Sequence, residues 1–289
     1  MLAGKLKVSP LVIGFTVVAI GTSLPEISIA LQSGLNHTTD LSLGDIVGSN
    51  IANIGLIFGL ALVFRSVYIG TLKTQRNMLL YLSLSTVFFF ILLLMGLQAL
   101  TGLLLLLIGV VAIIWQIKQG KQGALDEDKE LLNELGKDHR KPIIAFIFLG
   151  LSLAALLFGS KLLVDSGVRI ANLLGVSPFL IGIVVVSIGT SLPELAVTVT
   201  SLLKKEEKLA VGNILGSNIY NILIGGGILG VFNTKGITNL TALLFFAFFS
   251  LIFCFLIYTY KGRRVPRYFG LGLLTLFLLY IGVFLGFSN

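Results

Sequence analysis

The chain has 289 residues, of which 56% are hydrophobic and 12% charged, with a mean hydropathy of +1.01 and a net charge of +8. A soluble domain carries about 25% charged residues, so the composition excludes a globular domain and reads as an all-α polytopic membrane protein. The excess of positive charge does not point to nucleic acid, because the basic residues lie between apolar runs, where they act as topology signals.

Runs of about 20 apolar residues mark spanning helices. They fall near 10–33, 43–63, 77–95, 100–117, 143–165, 177–202, 211–231, 239–259 and 267–286, which makes nine predicted transmembrane helices. The opening, with Lys5 and Lys7 ahead of a long apolar segment, does not read as a cleavable signal peptide. Between the fourth and fifth runs lies the one strongly charged stretch, Lys118 to Lys141, which includes Asp126, Glu127, Asp128, Glu130 and Glu134. It is expected to be a solvated linker between two halves. The domain reading is therefore 1–117 as a first repeat, 118–142 as a cytoplasmic linker loop and 143–289 as a second, inverted repeat.

Loop charge sets the orientation. One side holds Lys5, Lys7, Arg65, Lys73, Arg76, the central loop, Lys204, Lys205, Lys208, Lys261, Arg263, Arg264 and Arg267. The other side holds little beyond Arg169 and Lys235, with Lys161 near a span end. The positive-inside rule makes the first side cytoplasmic. The amino terminus and central loop are then inside and Asn289 outside, in a bacterial or archaeal plasma membrane. The single Cys254 lies in an apolar run, which excludes an intrachain disulfide framework and a cysteine-based metal cluster. His37 and His139 both fall in predicted loops.

The apolar runs contain an internal repeat. Val8 to Glu26 matches Val176 to Glu194 at an offset of 168, with 14 of 19 positions identical. Both copies end in Gly-Thr-Ser-Leu-Pro-Glu, at Gly21–Glu26 and Gly189–Glu194. The same offset aligns Gly44-Asp45-Ile46-Val47-Gly48-Ser49-Asn50-Ile51-Ala52-Asn53 with Gly212-Asn213-Ile214-Leu215-Gly216-Ser217-Asn218-Ile219-Tyr220-Asn221. The copies begin in the first and sixth spans, five crossings apart, so the second is upside down. In inverted-repeat transporters the substrate site lies near the bilayer midplane at the repeat interface, on interrupted helices.

The chemistry of the motifs agrees with that placement. A Glu inside a span is costly and marks a functional site by default. The Pro before it removes one helix hydrogen bond and frees a carbonyl about one turn back. Each copy thus gathers a carboxylate, two hydroxyls and loosened carbonyls, which are oxygen ligands for a hard cation such as Ca²⁺ or Na⁺. Packing of a neutral Glu against a neighbouring helix is the plainer alternative for one copy, and a weaker one for two matched copies. Gly48 and Gly216 permit close helix contact. Asn53 and Asn221 lie one turn beyond the Ser49 and Ser217 hydroxyls on the same face. Asn50 and Asn218 point elsewhere and are expected to join helices. Asp45 lies near a predicted span start, where an acid suits the helix dipole, so it is expected to cap the helix. Lys161 and Asp165 are placed to pair or to snorkel. The stretches 84–108 and 243–256 are expected to face lipid or to fill packing surface.

At these two repeats the sequence resembles the sodium/calcium exchanger family of cation antiporters, particularly its prokaryotic members. The resemblance implies four cation positions in a diamond. Glu26 and Glu194 would bind Ca²⁺ with the carbonyls of Thr22 and Thr190. Ser23 with Ser49, and Ser191 with Ser217, would serve two flanking Na⁺ positions, helped by the carbonyls of Ala19 and Ser187. Asn53 and Asn221 would line the remaining central position. Several family members carry an Asp where this chain has Asn221, which leaves two carboxylates in the implied site.

The family also has ten spans, five per repeat. At the offset of 168 Met1 aligns with Arg169, so the counterpart of the 143–165 span falls before Met1. The expectation is a natural start codon upstream that encodes one further span, and a 289-residue form that binds Ca²⁺ but exchanges it poorly. The functional expectation is a non-enzymatic secondary antiporter that exchanges Ca²⁺ for Na⁺ by alternating access, with no cofactor and the lipid bilayer as its setting. Ca²⁺/H⁺ exchange is the nearest alternative, since buried carboxylates can trade a cation for protons. A channel is a weaker fit, because filters are usually rings around a pore. A two-acid intramembrane protease fits least, since the acids sit among hydroxyl-rich ligand motifs.

Overall fold

The structure is a computed structural model that describes residues 14–36, 39–70, 72–123, 178–233 and 239–286, with scattered positions between 147 and 175. Seven helices among them are long and apolar enough to cross a membrane, and a bent pair makes an eighth span. In chain order they are α1 (the pair Gly14–Thr22 and Leu24–Leu35), α2 (Thr39–Phe64), α3 (Leu72–Leu94), α4 (Ala99–Gly123), α5 (Ile181–Leu203), α6 (Glu207–Val231), α7 (Leu240–Thr259) and α8 (Tyr268–Gly286). Each corresponds to a run expected from hydropathy. Of the remaining expected span, 143–165, only scattered positions are described, and those are helical, while most of the 118–142 linker falls outside the described residues. The helix of the fourth span continues to Gly123, so the first linker residues prolong it.

Both motif-bearing helices break where the sequence places a proline. Pro25 is the second residue of Leu24–Leu35, and Ser23 just before it leaves helical geometry at φ −82° and ψ 7°. Pro193 has the same place in Leu192–Leu203, after Ser191 at φ −81° and ψ 3°. A proline in the first turn costs nothing to its own helix but cannot continue the one before it. In α1 the break bends the chain by 48°.

A second irregularity has no sequence signature. Among the described residues four π-helical turns occur, at Gly14–Val18, Asn53–Phe58, Ile181–Val186 and Asn221–Gly225. They fall in two pairs at the repeat offset, and Asn53 and Asn221 each open one. Such turns concentrate at functional sites because they re-aim side chains and leave backbone groups off the regular ladder.

The repeats pack onto each other across the centre. The second helix of each repeat, α2 and α6, lies against the π-turn of the other. Gly48 and Gly216 make this approach possible. A methyl group on Gly48 would strike the Ile183 carbonyl, and one on Gly216 would lie 2.5 Å from the Phe15 carbonyl. The other spans form the outer layer. Leu94, Leu103, Leu107, Leu251, Phe255 and Leu278 point outward, as lipid-facing side chains should. Phe246, Phe249 and Phe253 of α7 turn inward, so the 243–256 stretch serves both roles.

The ends predicted to be cytoplasmic carry a short antiparallel ribbon, β1 (Val67–Tyr68) with β2 (Arg264–Val265). Glu207, in the first turn of α6, ties it down. Its carboxylate accepts from the Tyr68 amide at 2.7 Å and from the Arg264 guanidinium at 2.7 Å, with Arg65 at 3.4 Å. Lys161 and Asp165 pair at 3.2 Å on an exposed surface.

Candidate cation site

The two Gly-Thr-Ser-Leu-Pro-Glu breaks meet α2 and α6 in a fully enclosed polar centre. Thr22, Ser23, Glu26, Ser49, Asn53, Thr190, Ser191, Glu194, Ser217 and Asn221 are all buried, as are Ala19 and Ser187. Each residue of the site expected from the sequence is thus buried, and the hydrogen bonds show which of them meet. Burial of this many polar groups in a bilayer requires partners for them.

The partners found run both between the repeats and within each of them. Ser23 Oγ donates to Glu194 Oε1 at 3.1 Å. Ser49 Oγ lies 3.3 Å from Thr190 Oγ1 and 3.5 Å from the Ser187 carbonyl. In the mirror position Ser217 Oγ lies 3.4 Å from Thr22 Oγ1. Asn53 Nδ2 donates to Asn218 Oδ1 at 2.9 Å. The Ala19 carbonyl accepts from the Ser23 amide at 3.0 Å and from Thr22 Oγ1 at 3.3 Å. The Ser187 carbonyl accepts from the Ser191 amide at 3.2 Å and from Thr190 Oγ1 at 3.4 Å.

Several oxygens have no such partner. Among the described residues, neither carboxylate oxygen of Glu26 has a hydrogen-bond donor, nor do Glu194 Oε2, Asp45 Oδ2, Ser191 Oγ, Asn53 Oδ1 or Asn221 Oδ1. An orphaned buried oxygen is costly and calls for an explanation, of which an ion is one. No three Asp, Glu, His or Cys side chains of the described residues converge closely enough to hold a metal by themselves. Hydroxyl, amide and carbonyl oxygens would have to complete any coordination shell, as suits Na⁺ and Ca²⁺.

Asp45 corrects the sequence reading. Helix α2 begins at Thr39, so the first-turn acid is Asp40, and Asp45 lies two turns deep and fully buried. It accepts from Thr190 Oγ1 at 3.0 Å and from Ser49 Oγ at 3.3 Å. Its repeat mate Asn213 takes the mirror contact, with Thr22 Oγ1 donating to Asn213 Oδ1 at 3.3 Å. The signal was in the sequence. Positions 45, 49 and 53 are spaced by four and share one helix face. The Asn50 expectation also changes, because its amide bonds to the Ile46 carbonyl of its own helix at 2.8 Å. Asn218 does join helices, through Asn53.

Comparison with known proteins places these features among relatives. A family model described as sodium/calcium exchanger protein matches residues 1–118 and 144–286. The sodium/calcium exchanger MaX1 of Methanosarcina acetivorans is 32% identical over 98% of this chain and 91% of its own length. The inner membrane protein YrbG of Escherichia coli is 38% identical over 75% of this chain and 68% of its own. The fold matches the sodium-calcium exchanger NCX_Mj soaked with 100 mM Na⁺ and 10 mM Sr²⁺ at a TM-score of 0.79 and 30% identity, covering 97% of this chain and 89% of that one. NCX_Mj soaked with 2.5 mM Na⁺ and 0.1 mM Ca²⁺ matches equally well, at a TM-score of 0.79.

Proposed function

We infer the function from one premise: this chain belongs to the sodium/calcium exchanger family and is an integral membrane transporter, not an enzyme. We propose that it is a secondary antiporter that exchanges Ca²⁺ for Na⁺ by alternating access. Residues 1–117 and 143–289 act as its two inverted repeats, joined by a cytoplasmic linker at 118–142. The loop charge supports an inside amino terminus and an outside carboxyl terminus in a prokaryotic plasma membrane.

The observation that carries the reading is Glu26. Both its carboxylate oxygens are buried and without a hydrogen-bond donor among the described residues, beside the charge of Glu194. A cation held between the two carboxylates removes that cost. Glu26 and Glu194 are therefore proposed to ligate Ca²⁺ with the Thr22 and Thr190 carbonyls. Ser23, Ser49, Ser191 and Ser217, with the carbonyls of Ala19 and Ser187, are proposed to serve Na⁺. Asn53 and Asn221 line the centre.

Exchange follows from this arrangement. Buried carboxylates without a counter-ion pay a desolvation penalty of several kcal/mol per ion, so the empty carrier resists occlusion. The Na⁺ and Ca²⁺ positions adjoin in one buried centre, where Ser23 Oγ bonds to Glu194 Oε1, so loading with one cation disfavours loading with the other. Each passage of the loaded carrier is then coupled to a return with a counter-ion.

The test is Ca²⁺ uptake into proteoliposomes under an outward Na⁺ gradient, compared with a pH gradient of matched size. Uptake driven by Na⁺ supports the reading. Uptake driven only by the pH gradient would overturn it in favour of Ca²⁺/H⁺ exchange.

A further inference from the structure

The stripe Asp45, Ser49, Asn53 on α2 repeats as Asn213, Ser217, Asn221 on α6, with one substitution of charge. The Asp45 end of the stripe closes a small oxygen cluster. Thr190 Oγ1 is 3.0 Å and Ser49 Oγ 3.3 Å from Asp45 Oδ1, and both hydroxyls also approach the Ser187 carbonyl, at 3.4 and 3.5 Å. Asp45 is fully buried, and its other oxygen, Oδ2, has no hydrogen-bond donor among the described residues. The mirror cluster repeats part of this without the charge: Thr22 Oγ1 lies 3.3 Å from Asn213 Oδ1, 3.4 Å from Ser217 Oγ and 3.3 Å from the Ala19 carbonyl.

We propose that Asp45 is a further cation ligand, which makes the Asp45–Ser49–Thr190–Ser187 cluster a tighter Na⁺ position than its neutral mirror image. This rests on the cation-exchange reading above and names a specificity-determining residue within it.

Three features support the assignment. A helix cap would sit in the first turn, whereas Asp45 lies deep in α2 with Asp40 ahead of it. A purely structural acceptor for Thr190 and Ser49 needs one oxygen and no charge, and Asn213 fills that role for Thr22 in the mirror position. A buried carboxylate in that place is costly unless a cation offsets it.

The mirror position supplies the control. Asp45→Asn keeps the acceptor oxygen and the side-chain shape that the fold already tolerates at 213. Ca²⁺ binding to the purified full-length protein is titrated at increasing Na⁺, for wild type, Asp45→Asn and the exchanged pair Asp45→Asn with Asn213→Asp, with thermal unfolding measured alongside. The expected result is an Asp45→Asn protein of unchanged unfolding temperature that needs about tenfold more Na⁺ to displace Ca²⁺, the scale for removing one charge from a buried pair. The exchanged pair should recover part of that loss by charging the mirror cluster. An Asp45→Asn protein with wild-type Na⁺ competition would overturn the proposal and leave the exchange reading standing. So would equal weakening of Na⁺ and Ca²⁺ with a lowered unfolding temperature. A wild-type protein whose bound Ca²⁺ is insensitive to Na⁺ would overturn both.

Discussion

Ser23 reaches across to Glu194, whereas Ser191, its counterpart in the second repeat, leaves its hydroxyl unpartnered and Glu26 without a donor among the described residues. Asn53 is held by Asn218, while both amide atoms of Asn221 are unpartnered there. The backbone at the two breaks is nearly the same, with Ser23 at φ −82° and ψ 7° and Ser191 at φ −81° and ψ 3°. Two copies of one motif thus share a backbone and differ in side-chain contacts. The lesson is that the repeat fixes which atoms reach the centre, and the packing around them fixes which find partners. In an inverted-repeat carrier a state with these roles exchanged is the natural second end of the transport cycle.

The largest expected effect removes the feature the two halves share. Glu26→Gln and Glu194→Gln should each reduce Ca²⁺ uptake into proteoliposomes by about a hundredfold or more, since each takes one charge from a buried ion site. Near-normal flux in a well-folded Glu194→Gln protein would show that the halves do not share an ion.

The packing between the halves comes next. Gly48→Ala and Gly216→Ala should each lower stability by about 1–3 kcal/mol, the usual cost of overpacking, because the added methyl meets the Ile183 or Phe15 carbonyl. Thermal unfolding in detergent checks this, and an unchanged midpoint would mean the helices separate without cost.

The smallest effect sharpens the asymmetry itself. Asn53→Ala breaks a buried hydrogen bond and should cost about 1 kcal/mol of stability. Asn221→Ala breaks none seen here and should leave unfolding unchanged while weakening ion binding. Equal destabilisation by the two would erase the distinction between the halves.

Much of this architecture was legible in the chain. Hydropathy placed the eight described spans to within a few residues, because a bilayer demands about 20 apolar residues in a row. The two prolines placed the breaks at Ser23 and Ser191, because their missing amides act locally. The exact repeat offset brought both glutamates to one centre. The π-turns were not legible, since no residue type or spacing in the local sequence marks them. Asp45 was misread because the helix starts at Thr39, four residues before the apolar run, and a boundary error of one turn changed a site residue into a cap. That Asn53 finds a partner in Asn218 while Asn221 finds none among the described residues follows from packing between the halves, on which two nearly identical motifs are silent.

The central claim is that one buried centre with adjoining Na⁺ and Ca²⁺ positions holds the two ions in turn and not together. The most direct measurement is a Ca²⁺ titration of the purified wild-type protein at a series of fixed Na⁺ concentrations. The account predicts mutual exclusion, with the apparent Kd for Ca²⁺ rising without limit as Na⁺ increases and the amount of Ca²⁺ bound at saturation unchanged. An apparent Kd that does not respond to Na⁺, or Na⁺ and Ca²⁺ held together at saturation in this centre, would contradict it.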